Sequence, residues 1–400
     1  MARSFRLAAL TTAAALAVGV ALPLSAADAP KPAAPPADAK PEGKPIDLVI
    51  CLDVSGSMNG LIDSAKIQLW NVVNELARIK PTPNLRVGIY AYGATRFDPK
   101  NGWVNKEIDL TEDLDAVYKA LNALKTGGGD ELVARVTKAA LEEQKWSADR
   151  DALKVIFVCG NEPVDQDKQV TLDDVSARAK KAGVVVNTIY CKWGRDNEAA
   201  AWAAFSETAG GRHVNIDQNK ATRQVVVKTE FDADIIKLGE DLNKTYVAYG
   251  KDGKKGFANQ AEQDKNAINA PAAPGGARAA ALERSATKAS GLYRNSTWDL
   301  VDKMKEKDFD LSKIKEEDLC DELKKLKPEE RMPYLKKKAA EREDLQKKIA
   351  DLSAKRQKKI DEELAKAPKT DAEKALDEAI KGVIRDQAKT RGFEIAPEKK

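Results

Sequence analysis

The chain has 400 residues, with 67 lysines and arginines against 63 aspartates and glutamates, and four cysteines. This near balance of charge argues against a general nucleic-acid binder, which would need a clustered basic face. The few cysteines show no C-x-x-C spacing, which excludes a disulfide scaffold, and the length suffices for one domain with a sizeable core plus a second unit.

The first 45 residues have the composition of export and linker segments. Residues 1–27 begin with Arg3 and Arg6, continue through an apolar stretch and end in small residues, which predicts a secretory signal peptide. An uncleaved membrane anchor is the alternative, but Pro23 breaks the apolar stretch. Residues 28–45 are rich in Pro and Ala and predict an exposed tether. We expect an exported protein, periplasmic or extracellular, with no transmembrane span after signal cleavage.

The stretch that follows ends in a group of oxygen ligands. Residues 46–52 are almost continuously Val, Ile and Leu, which predicts a strand buried on both faces of a parallel sheet. Asp53, Ser55 and Ser57 come directly after it, at the carboxyl end where open α/β sheets bind ligands. One carboxylate and two hydroxyls suit Mg²⁺ or Mn²⁺, and the stretch lacks the His and Cys that zinc or copper prefers.

Apolar segments with strand and helix patterns alternate from there to about residue 216. We predict a doubly wound, mainly parallel α/β sheet, followed by a helical C-terminal extension. The predicted strands are residues 46–52, 86–92, 103–110, 154–158, 184–190 and 213–216, and the helices are residues 113–124, 132–141, 172–181 and 197–209 with one more beginning near residue 61.

An Asp-x-Ser-x-Ser after a buried strand and before a helix resembles the metal-ion-dependent adhesion site of von Willebrand factor type A domains. The resemblance implies such a domain over residues 46–230 and a charged helical extension over residues 231–400. It also implies a protein partner that presents an Asp or Glu carboxylate to the bound metal. A polar turn that only caps the next helix is the alternative. Residues 160–163 (GNEP) and 186–191 (VNTIYC) also resemble a group of exported bacterial type A proteins with a Lys-rich helical extension.

Family members complete the metal site with two further loops. Their Gly-Gly-Thr loop matches residues 128–130, and their strand-end Thr-Asp-Gly matches residues 159–161. The resemblance therefore implies Asp130 and Asn161 as the remaining ligands, with the second carboxylate displaced by one loop. Glu131 and Glu162 are further candidates, and Glu131 could face the metal in place of Asp130. In the alternative interpretation the glycines only end a helix and Asp130 caps the next one.

Two enzyme classes share part of this pattern. The main alternative function is a Mg²⁺-dependent phosphohydrolase of the haloacid-dehalogenase-like type, whose nucleophile is also an Asp after the first strand. Those enzymes need a second acid two residues later, and this chain has Ser55 there. Ser285 and Lys288 match S-x-x-K of penicillin-binding enzymes, but the accompanying Lys125-Thr-Gly stands in reversed order. We expect a binding module and not an enzyme.

The extension is predicted to be helical over residues 279–302 and along most of residues 304–366. Leu345, Ile349 and Leu352 form a thin apolar stripe that Arg356 interrupts. A helix that packs on its own chain is favoured over a dimeric coiled coil, so we expect a monomer. In the first domain, Cys159 and Cys191 end neighbouring predicted strands, and two buried thiols are favoured over a disulfide.

Overall fold

The computed structural model describes residues 43–58, 73–192, 197–215, 227–270, 276–366 and 375–395. The predicted signal peptide, most of the tether and most of the helix near residue 61 lie outside the described residues. Within the described ranges, no helix combines the length and the apolar character that a membrane crossing requires.

The predicted α/β sheet is confirmed, and its central strand is the one that carries the Asp-x-Ser-x-Ser motif. The strands are β1 (Pro45–Asp53), β2 (Ile79–Lys80), β3 (Asn84–Tyr92), β4 (Val104–Thr111), β5 (Leu153–Gly160), β6 (Val184–Tyr190), β7 (His213–Asn215) and β8 (Glu394–Ile395). Six of them form a sheet in the order β4-β3-β1-β5-β6-β7, in which β4 is antiparallel to β3 and the other pairs are parallel.

Strand β1 is buried on both faces because its apolar residues alternate between two cores. Leu48 and Leu52 belong to the core on one face of the sheet, and Val49 and Cys51 belong to the core on the other. Asp53 ends the strand with its side chain buried. The same apolar run that fixes the strand therefore brings the first polar residue to the carboxyl edge of the sheet.

Helices follow the strands and continue beyond the sheet. They are α1 (Leu114–Ala123), α2 (Val133–Glu143), α3 (Leu172–Ala182), α4 (Asn197–Thr208), α5 (Asp232–Asn243), α6 (Gly253–Ile268), α7 (Gly276–Lys288), α8 (Leu300–Lys303), α9 (Asp321–Lys324), α10 (Pro328–Lys366) and α11 (Ala375–Thr390). Helices α2, α3 and α4 cover one face of the sheet. Helix α1 and residues of the extension join the core of the other face, so the two parts share apolar packing.

The prediction of a single helix over residues 279–302 is wrong. Helix α7 ends at Lys288, and α8 begins only at Leu300. The Asp299 carboxylate accepts hydrogen bonds from the backbone N–H groups of Val247 and Asp302, at 2.7 and 2.9 Å. Asp299 thereby caps α8 and holds it to a distant loop, and that long-range contact outweighs the local helical preference.

The residue that interrupts the apolar stripe of α10 pairs with two acids of the same chain. Arg356 is buried, its Nε donates to Asp232 and its Nη1 donates to Glu283, both at 3.1 Å. Asp232 lies on α5 and Glu283 on α7, and Ile349 of the stripe is fully buried between these elements and the core. Helix α10 therefore packs on its own chain, in agreement with the interpretation that was favoured over a dimeric coiled coil.

A second buried ion pair joins the extension to α1. Arg284 on α7 donates from Nη1 to the Asp115 carboxylate at 2.7 Å, and the two side chains are 2% and 3% exposed. The Tyr293 hydroxyl donates to the other Asp115 oxygen at 2.5 Å. A charge pair this deep stabilises only while both partners are present, because either charge alone would be buried without compensation.

Ser285 and Lys288 of the S-x-x-K match have structural partners. The Ser285 hydroxyl donates to the Ala281 carbonyl oxygen at 2.9 Å, one turn earlier in the same helix. The Lys288 ammonium donates to Asp264 at 3.0 Å and also to Asn243. Ser285 bonds within α7 and Lys288 ties α7 to α5 and α6, which agrees with a chance match to the enzyme motif.

The described C-terminal end returns to the amino edge of the sheet. Strand β8 pairs with β2 as a short antiparallel ribbon. Helix α11 contributes Gln387, whose side-chain amide exchanges two hydrogen bonds with that of buried Asn187 on β6, at 2.7 and 3.1 Å. The Lys44 ammonium donates to the Arg391 carbonyl oxygen at 2.8 Å. The amino end of β1 therefore lies beside the described C-terminal segment, at the edge of the sheet opposite to Asp53.

Candidate metal site

Three loops meet at the carboxyl end of β1. The Val54 carbonyl oxygen accepts a hydrogen bond from the Gly127 N–H at 2.8 Å, and the Val54 N–H donates to the Tyr92 carbonyl oxygen at 2.9 Å. Ser55 and Gly127 form an isolated parallel bridge. These backbone bonds hold the loop after β1, the loop after β3 and the glycine loop after α1 side by side.

Asp53 is a buried carboxylate with only one oxygen satisfied. Its Oδ1 accepts from the Ser55 N–H at 2.7 Å. Its Oδ2 is buried and has no hydrogen-bond partner among the described residues. Burial, with a smaller contribution from the charges of Glu131 and Glu162, raises the pKa of Asp53 to about 7. An ionised carboxylate in this position needs a cation.

Two hydroxyls and an amide surround that carboxylate. The Ser55 and Ser57 hydroxyls lie 3.0 Å apart, and Ser57 donates to the Asn161 Oδ1 at 3.2 Å. Ser55 and Asn161 are buried, and Ser57 is exposed. Four of the predicted ligands, Asp53 included, are therefore brought together, from the ends of β1 and β5.

The structure brings Glu131 to the other ligands and does not bring Asp130. Asp130 is exposed, whereas Glu131 is half-buried, and its Cγ and the Asp53 Oδ1 lie 3.1 and 3.0 Å from the position that a Cβ on Gly93 would take. Adjacent side chains leave the backbone in different directions, so only one of the two acids can face the loop after β1. Burial, followed by the charge of Glu162, raises the pKa of Glu131.

Glu162 adds a further negative charge beside the site. Its side chain is half-buried, and its charge acts on both Asp53 and Glu131. Its carbonyl oxygen accepts from the Trp202 Nε1 at 2.8 Å, which holds the backbone after β5 in place. The charge lies on the loop that also carries Asn161.

The donor set consists of oxygens and excludes the nearby thiols. Cys51, Cys159 and Cys191 are free and buried, so the expected thiols are confirmed. Burial, with a contribution from the charge of Asp53, raises the pKa of Cys159 to about 12, and this thiol stays protonated at neutral pH. Within the described ranges no three His, Cys, Asp or Glu side chains gather as a metal cluster. Hydroxyls and one amide accompany the carboxylates here, which fits a hard cation.

The sequence matches the family model of the von Willebrand factor type A domain over residues 47–228. Residues 47–228 are a von Willebrand factor type A domain. No curated protein matches the chain.

Solved structures that match include proximal thread matrix protein 1 from the mussel byssus, at 15% identity over 45% of this chain and 43% of that chain, with a TM-score of 0.34. A structure of that protein with a zinc-occupied MIDAS motif matches at 16% identity over 44% and 43%, with a TM-score of 0.35. A von Willebrand factor type A protein from Catenulispora acidiphila matches at 15% identity over 45% and 40%, with a TM-score of 0.33. The match thus spans less than half of each of those chains.

Two glycines allow the loops of the type A domain to approach one another. Gly93 has a φ of 84°, and a Cβ there would lie 3.0 Å from the Asp53 Oδ1 and 3.1 Å from the Glu131 Cγ. A Cβ on Gly160 would lie 2.6 Å from the Tyr92 hydroxyl. Any other residue at either position would push the loops apart. No sequence motif marks Gly93, because a lone glycine after a strand is a weak signal.

An ion pair behind the type A site fixes two of its loops. Arg135 on α2 donates from Nε and Nη2 to both oxygens of Asp167, each at 2.9 Å. Burial alone would raise the pKa of Asp167, but the hydrogen bonds from Arg135 and from two backbone N–H groups hold it below the usual value. The loop after Asn161 is thereby tied to the helix that follows Glu131. No sequence motif signals this pair.

Proposed function

We propose that this protein is a metal-dependent protein-binding module of the adhesion or scaffold kind. Asp53, Ser55, Ser57 and Asn161 would hold Mg²⁺ or Mn²⁺, with Glu131 contributing in place of Asp130. The observation that carries the proposal is the buried Asp53 Oδ2, which lacks a hydrogen-bond partner among the described residues. A divalent cation would satisfy that oxygen and offset the charge.

The residues of the candidate site have different roles in binding the metal and the partner. The bound cation would offer a coordination position to an Asp or Glu carboxylate of the partner protein. Asp53 and Glu131 supply the negative charge that retains the cation, and Ser55 and Ser57 supply neutral donors. Asn161 orients the Ser57 hydroxyl through the hydrogen bond of 3.2 Å.

Binding is favoured over catalysis by what surrounds Asp53. Ser55 stands where a phosphohydrolase would have its second acid. His213 is the one histidine of the chain and lies on β7, three strands from β1 in the sheet order. Its Nδ1 hydrogen-bonds with the Thr188 hydroxyl at 2.9 Å. A general base there would be too far from Asp53 to serve the same substrate.

The proposal includes export to the periplasm or the extracellular space, and a monomeric state. Residues 28–45 lead into β1 at its amino end, and the nine residues of β1 separate that end from Asp53 by about 27 Å. The point at which the chain enters β1 is therefore at the opposite end of this strand from Asp53. The packing of α10 on α5 and α7 of the same chain supports the monomer.

Calorimetry with Mg²⁺ tests the metal site. Asp53→Ala should abolish binding, and Ser55→Ala should weaken it less, since a hydroxyl contributes less electrostatic energy than a carboxylate. Asp109→Ala, an exposed acid on β4, is the matched control and should bind as the parent does. Unchanged affinity in a folded Asp53→Ala protein would refute the site.

Two further measurements separate binding from hydrolysis. A pull-down from the cell envelope should recover the partner in Mg²⁺ and lose it when a chelator is added. Purified protein with Mg²⁺ should neither hydrolyse p-nitrophenyl phosphate nor become phosphorylated at Asp53. Turnover that Asp53→Asn abolishes would replace the binding proposal with the phosphohydrolase.

A further inference from the structure

A short turn after β3 lies against the glycine loop of the candidate site. The Phe97 N–H donates to the Ala94 carbonyl oxygen at 2.9 Å and closes the turn. The Thr95 N–H donates to the Gly128 carbonyl oxygen at 2.5 Å. These bonds join the turn to the loop that also carries Glu131, so the position of the turn is fixed relative to the site.

Arg96 on this turn is exposed and reaches the glycine loop. A Cβ on Gly127 would lie 3.4 Å from the Arg96 Nη1. Gly127 pairs with Ser55, and bridged backbones lie about 4.8 Å apart, which places the guanidinium within about 10 Å of the Ser55 Cα. The Arg96 guanidinium therefore lies on the rim of the candidate metal site.

The guanidinium is held in place and has no anionic partner among the residues that the structure describes. Its Cζ lies 4.4 Å from the centroid of the Phe97 ring, a cation–π contact that restricts the side chain. Two other arginines of the domain have carboxylate partners, Arg86 with Asp47 at 2.8 Å and Arg135 with Asp167 at 2.9 Å. Arg96 is thus ordered by a neutral ring, and its hydrogen-bond donors remain available.

We propose that Arg96 is the second anchor of the binding site and pairs with a second carboxylate of the partner. This inference rests on the proposed function, in which the metal takes the first carboxylate. In an extended segment, residues two positions apart lie on one face and about 7 Å from each other, which falls within the upper limit of about 10 Å between the Ser55 Cα and the Arg96 guanidinium. The guanidinium fork binds a carboxylate through two parallel hydrogen bonds. The partner would present an extended acidic pair of the form Asp-x-Asp.

Two labelled peptides test the inference by fluorescence anisotropy in Mg²⁺. One contains Gly-Asp-Ala-Asp-Gly, and the other replaces its second Asp with Asn, which keeps the shape and removes the charge. We expect the two-acid peptide to bind the parent protein about tenfold more tightly, the advantage typical of a charge-assisted hydrogen-bonded pair. Arg96→Ala should remove the advantage and leave the affinity for the one-acid peptide unchanged. Arg96→Lys should retain part of it.

Arg150→Ala is the matched control. Arg150 is also exposed, but it lies just before β5 at the opposite edge of the sheet, so both peptides should bind this variant as they bind the parent. If Arg96→Ala still binds the two-acid peptide with the full advantage over the one-acid peptide, the Arg96 proposal alone is refuted. The same holds if the parent binds both peptides equally well and in a Mg²⁺-dependent way. If neither peptide binds the parent in Mg²⁺, the proposed function fails and the second anchor fails with it.

Discussion

Replacing Asp53 with Asn should stabilise the metal-free protein at neutral pH and remove its response to Mg²⁺. Asn keeps the shape of the side chain, and its oxygen can still accept from the Ser55 N–H that now donates at 2.7 Å. Its amide group would take the place of the buried Oδ2 and would not be repelled by the negative charges of Glu131 and Glu162, which act on the Asp53 carboxylate. The substitution removes the charge and leaves the packing almost unchanged.

The expected magnitude follows from the pKa of Asp53. Burial raises this pKa from 3.8 to about 7. Between these two values the folded state keeps a proton that the unfolded state has lost, so the stabilisation is complete below pH 3.8 and is lost as the pH rises through 7. At about 1.4 kcal/mol per pKa unit, the rise from 3.8 to about 7 means that ionisation in the metal-free fold costs about 4 kcal/mol in total.

Urea unfolding in a chelator, at about pH 5 and about pH 8, measures this cost. The parent should lose about 2–3 kcal/mol over that range relative to Asp53→Asn, because part of the total cost already falls below about pH 5. Added Mg²⁺ should restore the stability of the parent at the higher pH, because a ligand that binds only the folded state stabilises it. It should leave Asp53→Asn unaffected.

Asp167→Asn is the control of opposite sign. Hydrogen bonds from Arg135 and the backbone lower the pKa of Asp167, so its ionised form stabilises the fold above the usual pKa of an aspartate. That variant should be less stable than the parent at both pH values. If Asp53→Asn is also less stable than the parent in chelator at about pH 8, the Asp53 carboxylate is not an uncompensated charge and the reasoning is wrong.

Three further predictions test the ligand assignment and the packing. Glu131→Gln should weaken Mg²⁺ binding about tenfold or more in calorimetry, since a carboxylate ligand is lost. Asp130→Asn should leave the Mg²⁺ affinity unchanged. The reverse result would restore Asp130 as the ligand. Arg284→Met should destabilise the protein by about 3–5 kcal/mol in urea unfolding, and Asp115→Asn in the same chain should recover part of that loss; no recovery would mean that the pair is not coupled. Gly160→Ala should cost about 1–3 kcal/mol by overpacking, and an unchanged midpoint of thermal unfolding would contradict the close approach.

The sequence alone determined the order of the elements in the first domain. The predicted strand at residues 46–52 is β1 at 45–53, and the predicted strand at residues 184–190 is β6 with the same bounds. A strand buried on both faces leaves a continuous apolar run, and an amphipathic helix leaves a repeating apolar stripe, so both patterns can be read without knowing the partners. The position of Asp53 at the carboxyl end of such a run followed for the same reason.

The tertiary structure decided which residues of different loops meet. Asp130 and Glu131 are adjacent acids, and only the approach of Gly93 and Ser55 distinguishes the one that faces the site. The exposed position of Arg96 beside Gly127 depends likewise on a contact between loops that are distant in the chain.

The extension shows the same limit over longer distances. Its break before α8 depends on the contact between Asp299 and Val247. The burial of Arg356 depends on partners such as Asp232, which lies 124 residues away in the chain. Local sequence patterns report which face of a segment is apolar, but they contain no information on which distant charge will be buried beside it. Only the packed structure supplies those pairings, because a buried charge is stable only when its partner is brought to it.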